Sequence, residues 1–173
     1  MLVNRIYNED CLETMSRFKY KIDVILTSPP YNTSRVDSYS KNNDMYNKRY
    51  IDFDDCKTDE DYIEWTLSIF EGFNKVLKKN GCVLYNLSYS SENTYLMWLV
   101  VAEIIKRTNF VTADTIIWKK SNATPNNRSS NKLTRICEYV FVFCRKDETR
   151  TFHANKKVLS VIEKFKQNNY EIS

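Results

Sequence analysis

The sequence predicts an α/β domain, a sheet with helices on its faces. Three observations carry this. Ile22–Thr27 and Cys82–Leu87 are short apolar runs rich in β-branched residues, as expected of buried strands. Residues 58–80, between them, carry apolar side chains at helical spacing. A second helical segment and two further strand-like runs follow, and such alternation of helix and strand is the pattern of an α/β sheet.

Taken in order, residues 2–7 (LVNRIY) read as a short strand. Asp10 reads as the cap of a helix reaching about Phe18, with Leu12, Met15 and Phe18 on one face. Ile22–Thr27 reads as a strand buried on both faces. It ends at Ser28-Pro29-Pro30, because proline donates no backbone hydrogen bond and forces the residue before it into extended geometry. Residues 32–57 are polar and without a period, a long loop of the kind that is usually functional. The helix over 58–80 opens with Thr58 and Asp61 in a capping-box arrangement and with Asp59 and Glu60 at the positive end of its dipole. Tyr62, Trp65, Ile69, Phe73, Val76 and Leu77 form its apolar stripe, and Lys78, Lys79 and Asn80-Gly81 close it.

Cys82–Leu87 follows as the second buried strand. A helix from about Glu92 to Arg107 turns Leu96, Leu99, Val100 and Ile104 inward, and strands are expected at Phe110–Trp118 and Ile136–Cys144. Lys119–Arg135, between those strands, holds five basic residues and no acid. Trp65, Trp98 and Trp118 are expected in the core, with Cys137 and Cys144 as core thiols, while an ordering of the basic loop by Glu138 through Arg135 or Lys132 is not expected. Residues 1–146 then form the main region. Residues 147–173 form a basic tail with a weakly amphipathic segment near Val158–Phe165, and the chain is expected to stop mid-fold.

Composition narrows the function. At 173 residues one domain is expected, and 14% aromatics with three prolines and two glycines exclude disordered or collagenous chains. No apolar run approaches a membrane span and no secretory pattern opens the chain. The five cysteines lack C-x-x-C spacing and His153 stands alone, so no metal site is expected. The odd cysteine count fits a reducing cytoplasm. A net charge of +4 and a pI near 8.7 admit a nucleic-acid partner. Two glycines cannot build a glycine-rich phosphate loop, so a nucleotide-type cofactor would be held without one or with help.

The chemistry concentrates at Leu26-Thr27-Ser28-Pro29-Pro30-Tyr31-Asn32, just beyond the carboxyl end of a strand, where open α/β sheets bind ligands. The proline pair locks the backbone, so the Ser28 hydroxyl and the nearby carbonyls point in fixed directions. An amino group on a heterocycle is a poor nucleophile because its lone pair is delocalised. Hydrogen bonds from it to Ser28 Oγ and the Pro29 carbonyl would draw the nitrogen toward tetrahedral geometry and free that pair. Tyr31 would stack on the ring, worth about 1–3 kcal/mol.

The Leu-Thr-Ser-Pro-Pro-Tyr string resembles the signature of the DNA amino-methyltransferases of the permuted, beta type. The flanks resemble the same family: Tyr7-Asn8-Glu9-Asp10-Cys11-Leu12-Glu13, the stretch from Tyr62 to Leu87, and Ile116-Ile117-Trp118-Lys119 with Glu138-Tyr139-Val140-Phe141-Val142-Phe143. The resemblance implies a Rossmann-like methyltransferase sheet with helices on both faces, S-adenosylmethionine as cofactor, and methylation of cytosine N4 or adenine N6. Ser28, Pro29, Pro30 and Tyr31 would form the target-amine pocket. Asp10 matches the acid near the cofactor's adenine, with Cys11 beside it and Thr27 on the same cofactor side, although Asp10 also serves as a simple helix cap. Double-stranded DNA, its target base flipped out, would lie along Lys119, Lys120, Arg128, Lys132 and Arg135, and along Arg35 with Lys41, Lys48 and Arg49. Serine before the prolines leans toward cytosine N4.

One departure stands out. The family continues into an Asp-Pro-Phe-x-Gly-x-Gly loop and central strands that this sequence lacks, so the sheet is expected to be incomplete, with one edge of the 22–27 strand unpaired. A fragment, a subunit completed by a second polypeptide or another copy, and a non-catalytic DNA-binding remnant all remain open. Methylation of RNA or of a protein glutamine ranks below them, since only about two dozen residues precede the signature.

Overall fold

In the computed structural model, residues 6–19, 21–32, 57–89, 93–121 and 136–149 are described. Most of the proposed strand at 2–7, most of the 32–57 loop, most of Lys119–Arg135 and the tail beyond 149 lie outside them, as do Arg35, Lys41, Lys48, Arg49, Arg128, Lys132 and Arg135. The described elements are α1 (Cys11–Arg17), β1 (Ile22–Thr27), α2 (Asp59–Val76), β2 (Leu77–Leu87), α3 (Leu96–Arg107), β3 (Phe110–Lys119) and β4 (Cys137–Arg145). A short 3-10 turn at Lys146–Glu148 follows. The sheet runs in the order β1-β2-β4-β3. β1 and β2 are parallel, joined through α2, and β4 runs antiparallel to both β2 and β3.

One main core joins the helices to one face of this sheet. Buried side chains of α2 and α3 meet Val83, Tyr85, Leu87, Phe110, Phe141 and Phe143, and Leu12 and Met15 bring α1 onto the same cluster. A Cβ on Gly72 would come within 2.6 Å of Met15 Cε, so its lack of a side chain lets α1 lie close over α2. Alternation along the strands sends Cys82, Leu84 and Val142 to the opposite face, where Val24, Ile116 and Val140 pack with them. The helices among the described residues therefore cover one face. No described helix is long and apolar enough to cross a membrane.

Several sequence expectations are corrected. α2 ends at Val76 rather than Asn80, and β2 begins at Leu77. Leu77 is buried and pairs with Ile22; the register then slips, with Val24 opposite Cys82, and Asn80 takes a left-handed conformation at φ 58° within the slip. Arg145 also fixes this junction: it donates to Asn74 Oδ1 at 2.7 Å and to the carbonyls of Asn74, Leu77 and Lys78 at 3.0, 2.9 and 2.9 Å. Asn74 O is a carbonyl that the helix end leaves without an intrahelical partner, and a cation suits the negative end of the dipole. β1 is not buried on both faces: Asp23 and Leu26 are exposed, and among the described residues it pairs with β2 alone.

On α3 the buried stripe is Leu96, Met97, Val100, Val101 and Ile104, which leaves Leu99 44% and Trp98 49% exposed. Trp98 lies edge-on to Tyr139 and Phe141 at the margin of the core instead of inside it. Trp65 and Trp118 are half-buried, and of the two cysteines on β4 Cys144 is buried while Cys137 is only half so.

Thr58 caps α2, its Oγ1 accepting from Asp61 N at 3.1 Å. Thr58→Ala should cost about 1 kcal/mol of stability by chemical denaturation, and an unchanged midpoint would show that the cap contributes nothing.

Candidate active site at the carboxyl ends of β1 and β2

The sheet topology gathers four strand ends. β1 and β2 are parallel, so their carboxyl ends lie together, with Thr27 opposite Tyr85. β4 is antiparallel, so its beginning reaches the same end through Asn86↔Val140 and Leu87↔Tyr139. β3 finishes there too, Trp118 opposite Glu138 and Lys119 opposite Cys137. Alternation places Asn86 with Leu84, and Glu138 with Val140 and Val142, on the face opposite the helices.

Ser28 begins the corner beyond β1 and is exposed, whereas Pro29, Pro30 and Tyr31 are half-buried; the corner is open to solvent. Tyr62 reaches up from α2 and donates its hydroxyl to the Pro30 carbonyl at 2.6 Å. Asn32, buried and left-handed at φ 52°, clamps the far side, its amide donating to Lys57 O at 2.9 Å and its Oδ1 accepting from Lys57 N at 2.8 Å. The turn is thus held from below by a phenol and from beyond by a side-chain amide, in addition to its prolines.

A polar cluster sits at the corner's mouth. Ser28 Oγ and Tyr31 Oη are 2.7 Å apart. Asn86 Nδ2 lies 2.8 Å from Tyr31 Oη, 2.9 Å from Glu138 Oε2 and 3.3 Å from Ser28 Oγ. Tyr31 Oη is 3.4 Å from Glu138 Oε2. Lys120 pairs with the other Glu138 oxygen, and its Nζ lies 5.6 Å from the centre of the Trp118 ring. Asn86 Oδ1 is buried without a hydrogen-bond partner among the described residues. Behind the cluster the Tyr85 phenol is fully buried. Burial pushes its ionisation far above the ordinary range, and the nearby Cys11 and Tyr31 push it the same way, so it is neutral.

The structure brings the Ser28 and Tyr31 hydroxyls together across the two prolines that separate them. Thr27 ends β1 directly beside them. Asp10 and Cys11 open α1, both exposed; Asp10 Oδ1 accepts from Leu12 N at 2.7 Å, which is the cap role. Lys119 and Lys120 are exposed at the end of β3. Among the described residues Glu138 pairs with Lys120, and Arg135 and Lys132 lie outside them. Sequence reasoning passed over Asn86, whose signal was present: it is one polar residue inside the apolar run Cys82–Leu87. No group of three metal-ligating side chains occurs among the described residues.

A family model described as DNA methylase matches residues 22–172, and the chain belongs to that family. Among curated relatives it is 26% identical over 122 residues to the type II methyltransferase M2.MboI of Moraxella bovis, a match spanning 70% of this chain and 42% of that protein. Two solved structures share the fold. The cytosine-N4-specific PvuII DNA methyltransferase superposes with a TM-score of 0.59 at 21% identity, over 79% of this chain and 47% of that one. The M1.HpyAVI complex with SAM superposes with a TM-score of 0.51 at 22% identity, over 82% of this chain and 53% of that one. The chain spans about half the length of the relatives it matches.

Proposed function

We propose that this chain supplies the target-amine site of a DNA methyltransferase, one that moves the methyl group of S-adenosylmethionine to an exocyclic amine of a base. The observation that carries the proposal is the exposed Ser28 hydroxyl on a proline-locked, doubly clamped corner at the carboxyl end of a parallel strand. The base would leave the helical stack to reach it. Ser28 Oγ and the Pro29 carbonyl would accept the amine hydrogens, and Tyr31 would hold the ring. Transfer would be direct, without a covalent intermediate, and catalysis would come from positioning and electrostatics. Cytosine N4 is the favoured amine, in line with serine before the prolines, and adenine N6 is the alternative. Lys119 and Lys120, with Arg35, Arg128, Lys132 and Arg135, would follow the phosphate backbone. The setting would be the cytoplasm, where thiols stay reduced.

The residues present fit one end of the cofactor. The exposed carboxylate of Asp10, with Cys11 beside it and Thr27 closing β1, suits its adenine end. When bound, the cofactor supplies an electrophilic methyl on sulfonium. The two glycines lie in α2 and in the β2 slip, so no glycine loop of this sequence receives the sulfonium end. A further stretch of polypeptide, in the same or a second chain, would provide it alongside the edge of β1 that does not face β2.

Calorimetric titration of S-adenosylmethionine into the chain with duplex DNA tests this reading. Binding that weakens at least about tenfold in Asp10→Ala, a loss of roughly 1.4 kcal/mol, is expected. DNA binding with no cofactor binding, with or without a glycine-loop polypeptide, would instead support a DNA-binding remnant.

A further inference from the structure

Glu138 has no part in the amine pocket described so far, yet its carboxylate closes the polar cluster there. We propose that Glu138 is a positioning residue: tethered by Asn86 and Lys120, it ends a hydroxyl relay that runs from Ser28 through Tyr31 and turns the Ser28 lone pairs toward the substrate amine. The assignment rests on the function proposed above and adds a residue to it.

Counting hydrogens gives the argument. A carboxylate only accepts, so Glu138 fixes the Asn86 amide with its nitrogen toward it. That nitrogen has two hydrogens for three oxygens, and the shorter contacts, Tyr31 at 2.8 Å and Glu138 at 2.9 Å, take them over Ser28 at 3.3 Å. Tyr31 then has one hydrogen to give, toward Ser28 Oγ at 2.7 Å or Glu138 at 3.4 Å. An amine on a heterocycle arrives offering hydrogens only. Ser28 can receive one on a free lone pair if its own hydrogen turns to Tyr31, and Tyr31 can accommodate that by turning its hydrogen to Glu138. The negative charge at the end of the row favours this polarity. The 3.4 Å step is long in the absence of substrate, and such contacts commonly tighten in the substrate complex.

The same row gives the amine proton a way out. As the nitrogen–methyl bond forms and the sulfur–methyl bond breaks, the bonding pair stays on sulfur and the amine nitrogen becomes cationic. Its proton passes to Ser28 Oγ while the Ser28 proton moves to Tyr31 and the Tyr31 proton to Glu138 Oε2. Charges balance: a sulfonium and a carboxylate become a thioether and a carboxylic acid.

The full chain labelled with fluorotyrosine tests the relay without any methylation. Its Tyr31 fluorine resonance is identified by its loss in Tyr31→Phe. In Glu138→Gln this resonance should titrate at least about one pH unit below wild type, because a negative neighbour that opposes phenolate has gone, and Glu138→Asp should fall between. Equal midpoints in wild type and Glu138→Gln overturn the proposal. In methyl transfer to duplex DNA with a glycine-loop polypeptide present, Glu138→Gln should lower kcat roughly 100-fold, with KM for DNA unchanged and partial rescue by Glu138→Asp. A loss confined to KM overturns it as well. If wild type does not methylate DNA even with a glycine-loop polypeptide, the function proposed above fails, and the Tyr31 titration still decides this assignment.

Discussion

Replacing Ser28 and Tyr31 together by alanine should remove methyl transfer, a loss of at least about 10²–10³-fold of the kind seen when a preorganised polar group is deleted from a reacting centre. Ser28→Ala alone takes away the acceptor that frees the amine lone pair. Tyr31→Ala takes away both the 2.7 Å partner of that hydroxyl and a ring able to hold the base. The two side chains touch, so their separate losses should not add, and a double-mutant cycle should show coupling of about 0.5–3 kcal/mol. Tyr31 also packs against the core, so the alanine variant will lose some stability. Tyr31→Phe keeps the ring and removes only the hydroxyl, which separates the two effects. Ser28 is exposed, and Ser28→Ala should leave the denaturation midpoint where it was. Transfer that survives in the double variant would discard the pocket.

Phe70→Ala should be the most damaging change to the fold. Its ring is 0% exposed and meets Phe143, Phe73, Tyr85 and Phe110 edge-on at 5.0, 5.2, 5.2 and 5.4 Å. It therefore ties α2 to β2, β3 and β4 at once. Truncation of such a ring costs about 3–5 kcal/mol, a large part of the roughly 5–15 kcal/mol that holds a domain of ordinary stability. Urea denaturation measures it. A cost near 1 kcal/mol would mean that the main core is not organised around this residue. Its loss should also lower activity through the folded fraction, with KM for the remaining folded protein unchanged.

Much of the fold was legible because burial writes a period into the chain. α2 shows its stripe, the strands β2 and β4 are apolar runs, and the proline pair marks where β1 stops. The end of α2 was not legible. Lys78-Lys79-Asn80-Gly81 has the composition of a helix terminus, and what moves the boundary back is long-range: the pairing of Leu77 with Ile22 and the reach of Arg145 across some seventy residues. β1 misled in the other direction, since a β-branched run reads as doubly buried whether or not a neighbour covers it, and Leu26 is 55% exposed. At the site, Ser28 and Tyr31 stand three residues apart and announce themselves locally. Asn86 and Glu138 come from strands whose pairing alone puts them at the corner, 58 and 110 positions beyond Ser28. A polar residue in an apolar strand was the one local sign of either.

The account stands on a rigid turn that presents acceptors to an exocyclic nitrogen. Its most direct test is to incubate duplex DNA with tritiated S-adenosylmethionine and the protein, alone and with a glycine-loop polypeptide, then separate the nucleosides. The label is predicted in N4-methylcytosine or N6-methyladenine, and should vanish when Ser28 and Tyr31 are both alanine. Label on a ring carbon, or a double variant that behaves as the wild type does, would contradict it.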